Sequence, residues 1–241
     1  MDNYFAVTAP GLEPFTALEL TALGLLPVPA TEAASTGGVA FKGDLQTLYR
    51  ANLHLRTASR ILARLGTFFY ATTFPELQKR ASRLPWERCL TPGQPVAMRI
   101  TCHQSRLYHS DAVARSVSAG LEERLGKACP PVKEDEEADG HPPQLIIVRL
   151  VDDKCTISVD SSGELLHKRG YRLEVAKAPL RETLAAALLM ASGWDESAAL
   201  LDPFCGSGTI PIEAALMRLG IPPGINRRFA FMDWPGFDSQ K

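Results

Sequence analysis

One nine-residue stretch decides the fold of the second half of the chain: Leu201-Asp202-Pro203-Phe204-Cys205-Gly206-Ser207-Gly208-Thr209. The apolar run 198–201 before it predicts a short strand, and the alanine-rich run 212–219 after it predicts a helix closed by Gly220. Helical spacing and a first-turn proline predict another helix over 179–192. Helix, strand, glycine turn and helix, in that order, open a parallel α/β sheet.

The glycine turn is a candidate ligand site. A turn of this kind points backbone amides at an anion, with the helix dipole behind them, and Gly206 and Gly208 lack the Cβ atoms that would keep a ligand away. A nucleoside-triphosphate loop needs a lysine before Thr209, and a dinucleotide loop needs a glycine where the chain has Pro211. S-adenosylmethionine sites tolerate both departures, because no phosphate has to be surrounded. A glycine turn without a ligand is the alternative.

The first half of the chain predicts two α+β units. The first unit alternates strand, helix, strand, helix and strand, which fits a small ferredoxin-like sandwich. Its predicted elements are strand 4–9, helix 13–23, strand 37–41, a helix from its cap Asp44 to Leu53, and strand 60–69. The second unit has helix 74–84, strand 96–102, helix 110–125 and a hairpin, 144–151 and 154–160, with Asp152-Asp153 at its turn. The acidic stretch 130–143 predicts a solvated loop.

The charge is unevenly distributed along the chain. Residues 50–127 carry thirteen Lys and Arg against five acids, a net charge of +8, whereas residues 1–49 carry −4 and residues 128–241 carry −5. A basic block of domain size is a candidate footprint for nucleic-acid phosphates. Solvated helix faces are the alternative explanation.

The composition limits the other function classes. No apolar run approaches the roughly 20 residues of a membrane helix, and the N-terminus has no signal-peptide pattern, so a cytoplasmic protein without membrane contact is expected. The five cysteines are widely spaced, without a C-x-x-C pair. Neither a disulfide framework nor a metal site is therefore expected.

Several stretches resemble THUMP-domain class I S-adenosylmethionine-dependent RNA (guanine 2-amino) methyltransferases, a family with bacterial 23S ribosomal RNA and archaeal transfer-RNA members. Asp202 to Ile210, followed by Glu213-Ala214-Ala215, resembles the family's first cofactor motif. The segment that leads into the family's catalytic domain is similar to residues 166–172 and 178–183. Its front half is similar to residues 52–60 and 84–87, and an insert after the first helix of its catalytic domain is similar to residues 231–238.

The resemblance implies an order of domains. A ferredoxin-like segment is expected over 1–68 and a THUMP RNA-binding domain over 69–163, which makes the front half α+β. After a linker over 164–178, residues 179–241 are expected to begin an α/β Rossmann-like methyltransferase domain.

The resemblance also implies a function. The chain is expected to be the RNA-binding N-terminal part of an enzyme that uses S-adenosyl-L-methionine to methylate the 2-amino group of a guanine in 23S ribosomal RNA, with structured RNA as its partner. The expected cofactor-binding residues are Leu180, Arg181, Thr183, Asp202, Pro203, Phe204, Cys205, Gly206, Ser207 and Gly208. The candidate RNA contacts are Arg56, Arg60, Arg99, Arg106, Lys168 and Arg169.

The family's base-orienting motif is Asp or Asn, then Pro-Pro, then Tyr or Phe. Pro-Pro occurs at 130–131, 142–143 and 222–223, but the preceding residues are Cys, His and Ile. The catalytic residues are therefore expected beyond residue 241, and the chain, as a truncated product, is expected to be inactive alone. The alternative functions are a stand-alone RNA-binding module without catalysis and a DNA adenine methylase.

Four single residues have their own expectations. Asp202 either supports the cofactor loop or caps its turn, and Cys205 is expected to be a small packing residue. Glu213 either contacts the site or complements the helix dipole in the first turn. Trp86 is expected in the core.

Overall fold

The computed structural model describes most of the chain and divides it into two compact units, neither of which is continuous in sequence. The described residues are 1–28, 37–134, 136, 142–171 and 179–238. Unit 1 comprises Met1–Ile61 with Glu164–Phe229, and unit 2 comprises Leu62–Gly163 with Ala230–Lys241. Within those described ranges, no helix has both the length and the apolar character needed to cross a bilayer.

Unit 1 begins with the predicted alternation of strands and helices. Its elements are β1 (Asp2–Thr8), α1 (Glu13–Ala22), β2 (Gly38–Gly43), α2 (Leu45–His54) and the first part of β3 (Ala58–Arg64), with strand order β2-β1-β3. Tyr4 and Phe41 face each other across the antiparallel β1–β2 pair, and their ring centroids are 5.4 Å apart. Both are buried, because alternate strand residues point into the core.

The third predicted strand, 60–69, is shifted in the structure. β3 begins at Ala58 and ends at Arg64, and a two-residue strand, β4, follows at Phe69–Tyr70. The interruption has a local cause, because Gly66 has a φ of +78°, which an extended strand cannot contain.

Asp44 begins α2 as the sequence predicts. Its carboxylate accepts a hydrogen bond from the Thr47 amide at 2.8 Å, and the Thr47 hydroxyl accepts one from the Asp44 amide at 3.3 Å. This reciprocal capping box satisfies two amides that a helix end would otherwise leave unpaired. The hydrogen bonds that the Asp44 carboxylate accepts from the Thr47 amide and the Thr47 hydroxyl lower the pKa of Asp44.

Replacing Asp44 with Ala should lower the free energy of unfolding by about 1 kcal/mol at neutral pH. Because the folded-state pKa lies below the ordinary value of 3.8, this contribution is complete above that value and is lost as the pH falls through the folded-state pKa. Urea unfolding at neutral and at acidic pH measures both effects, with Asp44→Asn, which keeps a capping oxygen, as the control. A difference between wild type and Asp44→Ala that grows in acid would contradict the assignment.

Unit 2 contains the end of β3, then β4, α3 (Phe74–Ala81), β5 (Val96–His103), α4 (Ser110–Leu125), β6 (Gln144–Val151) and β7 (Lys154–Asp160). Its strand order is β3-β7-β6-β5, with β5 parallel to β6, the other pairs antiparallel, and β4 also paired to β7. The predicted hairpin is confirmed, since Asp152 and Asp153 have φ values of 52° and 61° at its turn. Trp86 is fully buried, as expected, and its indole donates to the Ala81 carbonyl.

The remainder of unit 1 consists of α5 (Glu182–Ala191) and α6 (Thr209–Arg218), which pack against each other, while α5 also contacts α1. Helix α5 begins three residues later than predicted, because Arg181 is its N-cap and has extended backbone. The strand predicted at 198–201 is wrong: these residues are exposed and belong to no strand. A strand needs a hydrogen-bonded neighbour, and no segment of the described chain pairs with this one. Part of the predicted loop 130–143 and residues 172–178 of the predicted linker lie outside the described residues.

Candidate functional site

The glycine loop is a closed turn in front of α6. The Asp202 carboxylate accepts a hydrogen bond from the Phe204 amide at 3.1 Å, and the Gly208 amide donates to the Cys205 carbonyl at 2.7 Å. Of the two alternatives for Asp202, the structure shows the turn-capping contact. Phe204 is 93% exposed.

The start of α6 is arranged to receive an anion. Gly206 and Gly208 have φ values of 53° and 76°, and Gly208 is the N-cap, with no side chain capping the helix in the described structure. The first turn of α6 therefore lies directly after the loop, at the positive end of the helix dipole. A Cβ on Gly206 or Gly208 would meet no atom closer than 3.7 Å, so positive φ, rather than crowding within the protein, requires glycine there.

The second predicted cofactor segment lies at the start of α5. Arg181 is exposed, Leu180 is half-buried and Thr183 is buried in the first turn. Since α5 and α6 pack against each other, the structure places the two predicted segments at the ends of two neighbouring helices.

Behind the glycine loop, Glu213 forms a buried ionic cluster. It lies in the second turn of α6, is fully buried, and its carboxylate accepts hydrogen bonds from Arg169 at 3.2 and 3.3 Å and from the Tyr171 hydroxyl at 3.1 Å. The Arg56 guanidinium lies 3.9 Å away. This cluster joins the helix that follows the loop to the segment that precedes α5 and to the turn before β3.

Two further contacts tie the Glu213 cluster to the front half. Arg169 donates to the Arg56 carbonyl at 2.8 Å, and Arg56 donates to the Ile221 carbonyl after α6 at 2.7 Å. Burial lowers the pKa of Arg56, and nearby Glu213 partly opposes that effect. Burial, followed by the neighbouring carboxylates of Glu213 and Glu182, raises the pKa of Tyr171.

A cleft of about 220 Å³ lies beside this cluster, and its walls are mostly apolar. It is lined by Arg169, Tyr171, Ile212, Leu216, Ile221, Pro222, Pro223, Ile225 and Asn226. None of the predicted cofactor residues lines the cleft, so it is distinct from the glycine loop.

The structure separates the candidate RNA contacts into two groups. Arg56, Arg60 and Arg169 have exposed fractions of only 12%, 7% and 3%, the first of these for the side chain alone. Their burial argues against a direct contact with RNA, because a phosphate could not reach them without displacing protein. For Arg56 and Arg169, the neighbouring Glu213 carboxylate explains why a positive charge is buried there.

Arg99, Arg106 and Lys168 are exposed, and their contacts with RNA stay a prediction. Each lies near a carboxylate: Arg99 bonds to Glu134 at 2.6 Å, Arg106 lies 3.8 Å from Asp153, and Lys168 bonds to Glu164 at 2.8 Å. Such surface pairs contribute about 0–1 kcal/mol and open readily, so these cations can exchange a carboxylate for a phosphate.

Sequence reasoning missed three features of the site. Glu213 follows the first turn of α6 and serves no dipole role, Tyr171 was not considered, and Cys205 is exposed instead of packed. A buried acid at a helix position facing two distant arginines leaves no local signal. Among the described residues, no group of three potential metal ligands is present.

Three domain-family profiles match the chain in succession. They are the RlmL ferredoxin-like domain at residues 3–62, the THUMP domain at 71–160 and the RMKL-like methyltransferase domain at 169–239. They match a ferredoxin-like segment, a THUMP domain and part of a methyltransferase domain in that order, and the predicted fold class is confirmed.

Two curated relatives are similar to almost the whole of this chain. The ribosomal RNA large subunit methyltransferase K/L of Methylococcus capsulatus is 39% identical over 245 residues, covering 98% of this chain and 32% of that protein. A putative RNA methyltransferase of Synechocystis is 37% identical over 237 residues, covering 98% of this chain and 60% of that protein. The chain is similar to these relatives along almost its whole length, and it spans between about a third and three fifths of their length.

Solved structures agree in fold. A possible methylase from Clostridium difficile matches with a TM-score of 0.84 and 34% identity, covering 99% of this chain and 61% of that one. SMU.472, a putative methyltransferase whose structure is described as complexed with SAH, matches with a TM-score of 0.82 and 33% identity over the same shares.

Proposed function

We propose that this chain is the RNA-binding and cofactor-loop part of an S-adenosylmethionine-dependent methyltransferase that modifies the 2-amino group of a guanine in 23S ribosomal RNA in the cytoplasm. The observation that carries the proposal is the uncapped start of α6 behind two glycines of positive φ. It stands in a chain whose ferredoxin-like, THUMP and methyltransferase segments follow each other. The relative described as complexed with SAH supports the choice of cofactor.

The residues of the loop fit the methionine part of this cofactor. The first turn of α6 and its dipole would receive the cofactor's carboxylate, and the open space over Gly206 and Gly208 leaves room for the cofactor's backbone. Residues 202–208, with Leu180, Arg181 and Thr183 at the start of α5, would form this half of the site. When bound, the cofactor supplies an activated methyl group. The Glu213 cluster holds α6, and with it the loop, in position.

The RNA-binding half of the proposal predicts a steep salt dependence. If four to six cations meet phosphates, the logarithm of the association constant falls with a slope of roughly 0.7–0.9 per contact against the logarithm of salt concentration. A fourfold rise in salt then weakens binding on the order of a hundredfold. Filter binding of the chain to a ribosomal RNA hairpin measures the slope. Because unit 1 combines segments from both ends of the chain, the whole chain should be used. Weak binding with a flat salt dependence would contradict this half of the proposal.

The proposed reaction can be tested in cells by gene deletion. Deleting the gene should remove N2-methylguanosine from large-subunit ribosomal RNA, which mass spectrometry of digested nucleosides detects. The intact gene should restore it, and a gene carrying Gly208→Val should not. Loss of N6-methyladenine from DNA instead would support the alternative DNA methylase, and unchanged nucleosides would support an RNA-binding module without catalysis.

A further inference from the structure

One face of the sheet in unit 2 exposes cations and aromatic rings; its Asp160 is buried, and one of its arginines, Arg99, bonds to Glu134. Strand residues alternate between the two faces, and residues paired across strands share a face. The register pairs Arg64 with Ser158, Arg149 with Thr156, and Tyr70 with Lys154, so alternate β7 positions bring these residues to one side. Arg99 joins them through its pairing with Ile147. We call this side the open face; its exposed positions on these described strands include no Asp or Glu, and Asp160 at the end of β7 on the same side is fully buried.

The other side of the same sheet is the core of unit 2. Ile146, Val148 and Leu150 of β6 are fully buried there, whereas Arg149 between them is exposed. The outer surface of the helices in this unit has mixed charge: Arg124 of α4 pairs with Glu87, and Glu123 is exposed nearby. The helix side therefore presents both signs of charge to a polyanion, whereas the exposed charged positions on the strands of the open face are cations.

Two arginines of the open face lie close together. Arg64 and Arg149 flank β7 on opposite sides, and the positive charge of Arg149 adds to burial in lowering the pKa of Arg64. Arg149 has no carboxylate partner among the described residues. Like charges held this close favour an anion between or above them, and guanidinium groups match phosphate oxygens in geometry.

An aromatic pair stands at the end of the open face next to the hairpin turn. Phe68 and Tyr70 are 47% and 58% exposed, and their rings meet edge to face with centroids 6.0 Å apart. Lys154 lies over the Phe68 ring at 3.6 Å. Exposed rings beside cations on a flat sheet suit unpaired bases, which stack on aromatic side chains while their phosphates meet the cations.

We propose that the open face, formed by Arg64, Arg99, Arg149, Lys154, Phe68 and Tyr70, binds a single-stranded segment of RNA. Arg64 and Arg149 hold phosphates, and Tyr70 stacks on a base. This inference rests on the proposed function in that it takes the bound polyanion to be RNA. It adds to the proposed function the surface that binds RNA and the single-stranded form of the bound RNA.

Fluorescence anisotropy with a labelled single strand of about a dozen nucleotides, and with the same strand annealed to its complement, tests the proposal. The double variant Arg64→Gln, Arg149→Gln should weaken single-strand binding about 25-fold at about 0.1 M salt, roughly fivefold for each lost phosphate contact. It should also lower the salt slope by about 1.4. The matched control, Arg80→Gln with Arg115→Gln on α3 and α4, removes the same charge from the helix side and should change binding little.

Tyr70→Leu provides an independent variant, because Tyr70 is exposed and its loss leaves the core intact. It should weaken single-strand binding about tenfold and leave duplex binding unchanged. Equal losses in the two double variants, or stronger binding of the duplex than of the strand, would overturn the proposal while RNA binding itself stands. No binding of either RNA would overturn both this proposal and the RNA half of the proposed function.

Discussion

Replacing Glu213 with Ala should lower the free energy of unfolding by about 3–5 kcal/mol, the cost of leaving a buried charge without its partner. The substitution leaves Arg169, only 3% exposed, without the carboxylate that accepts two of its hydrogen bonds. It also removes the acceptor of the Tyr171 hydroxyl and the nearest carboxylate to Arg56. Because these residues come from three separate parts of the chain, unit 1 should lose its cooperativity along with its stability.

Urea unfolding measured by circular dichroism gives this free energy. Glu123→Ala is the matched control, since Glu123 is an exposed helical glutamate of α4 and its removal changes the net charge equally. Glu213→Gln keeps an acceptor oxygen and should fall between the wild type and Glu213→Ala. If Glu213→Ala and Glu123→Ala were equally stable, the cluster would not hold unit 1 together.

Replacing Gly208 with Val should abolish measurable cofactor binding. The φ of 76° at Gly208 strains any β-branched residue, and a valine there would either shift the turn or cover the first amides of α6. A saturation-transfer titration with S-adenosylhomocysteine measures the loss, because this method detects weak ligands.

Gly220→Val is the matched control for this substitution. Gly220 ends the same helix with a φ of 62°, and a Cβ there also meets no atom within 4 Å. The backbone strain is therefore alike, but the position is at the opposite end of α6 from the loop. Equal loss of binding in both variants would show that strain in α6, rather than the loop, accounts for the effect.

Local sequence signals predicted the parts of the fold that depend on local contacts. The bounds of the hairpin follow from alternating residues on either side of Asp152-Asp153, and Asp44 marks the start of α2 through its own capping bond. The absence of a strand at 198–201 could not be predicted in the same way. The apolar composition of this segment suits a strand, but strand formation depends on a neighbour that composition does not reveal.

The candidate site also combines features that local sequence signals reveal with features that they do not reveal. The glycine loop was found because positive φ demands particular residues within a few positions. The role of Glu213 was not found, because its partner Arg169 lies 44 residues away and Arg56 lies in the front half of the chain. The sequence alone therefore does not distinguish Arg56 and Arg169, which lie beside a buried carboxylate, from exposed arginines. The sequence does not reveal the role proposed for Arg149, because that role depends on the cross-strand register that places Arg64 on the same face.

Amide chemical shifts of the isotope-labelled chain during titration with S-adenosylhomocysteine test the central claim, the assignment of the loop, most directly. The account predicts saturable shifts at the amides of Gly206, Ser207, Gly208 and Thr209, together with those at the start of α5. Saturable shifts confined to residues around the apolar cleft, such as Ile225 and Asn226, would contradict the assignment of the cofactor to the loop. So would unchanged spectra at millimolar ligand.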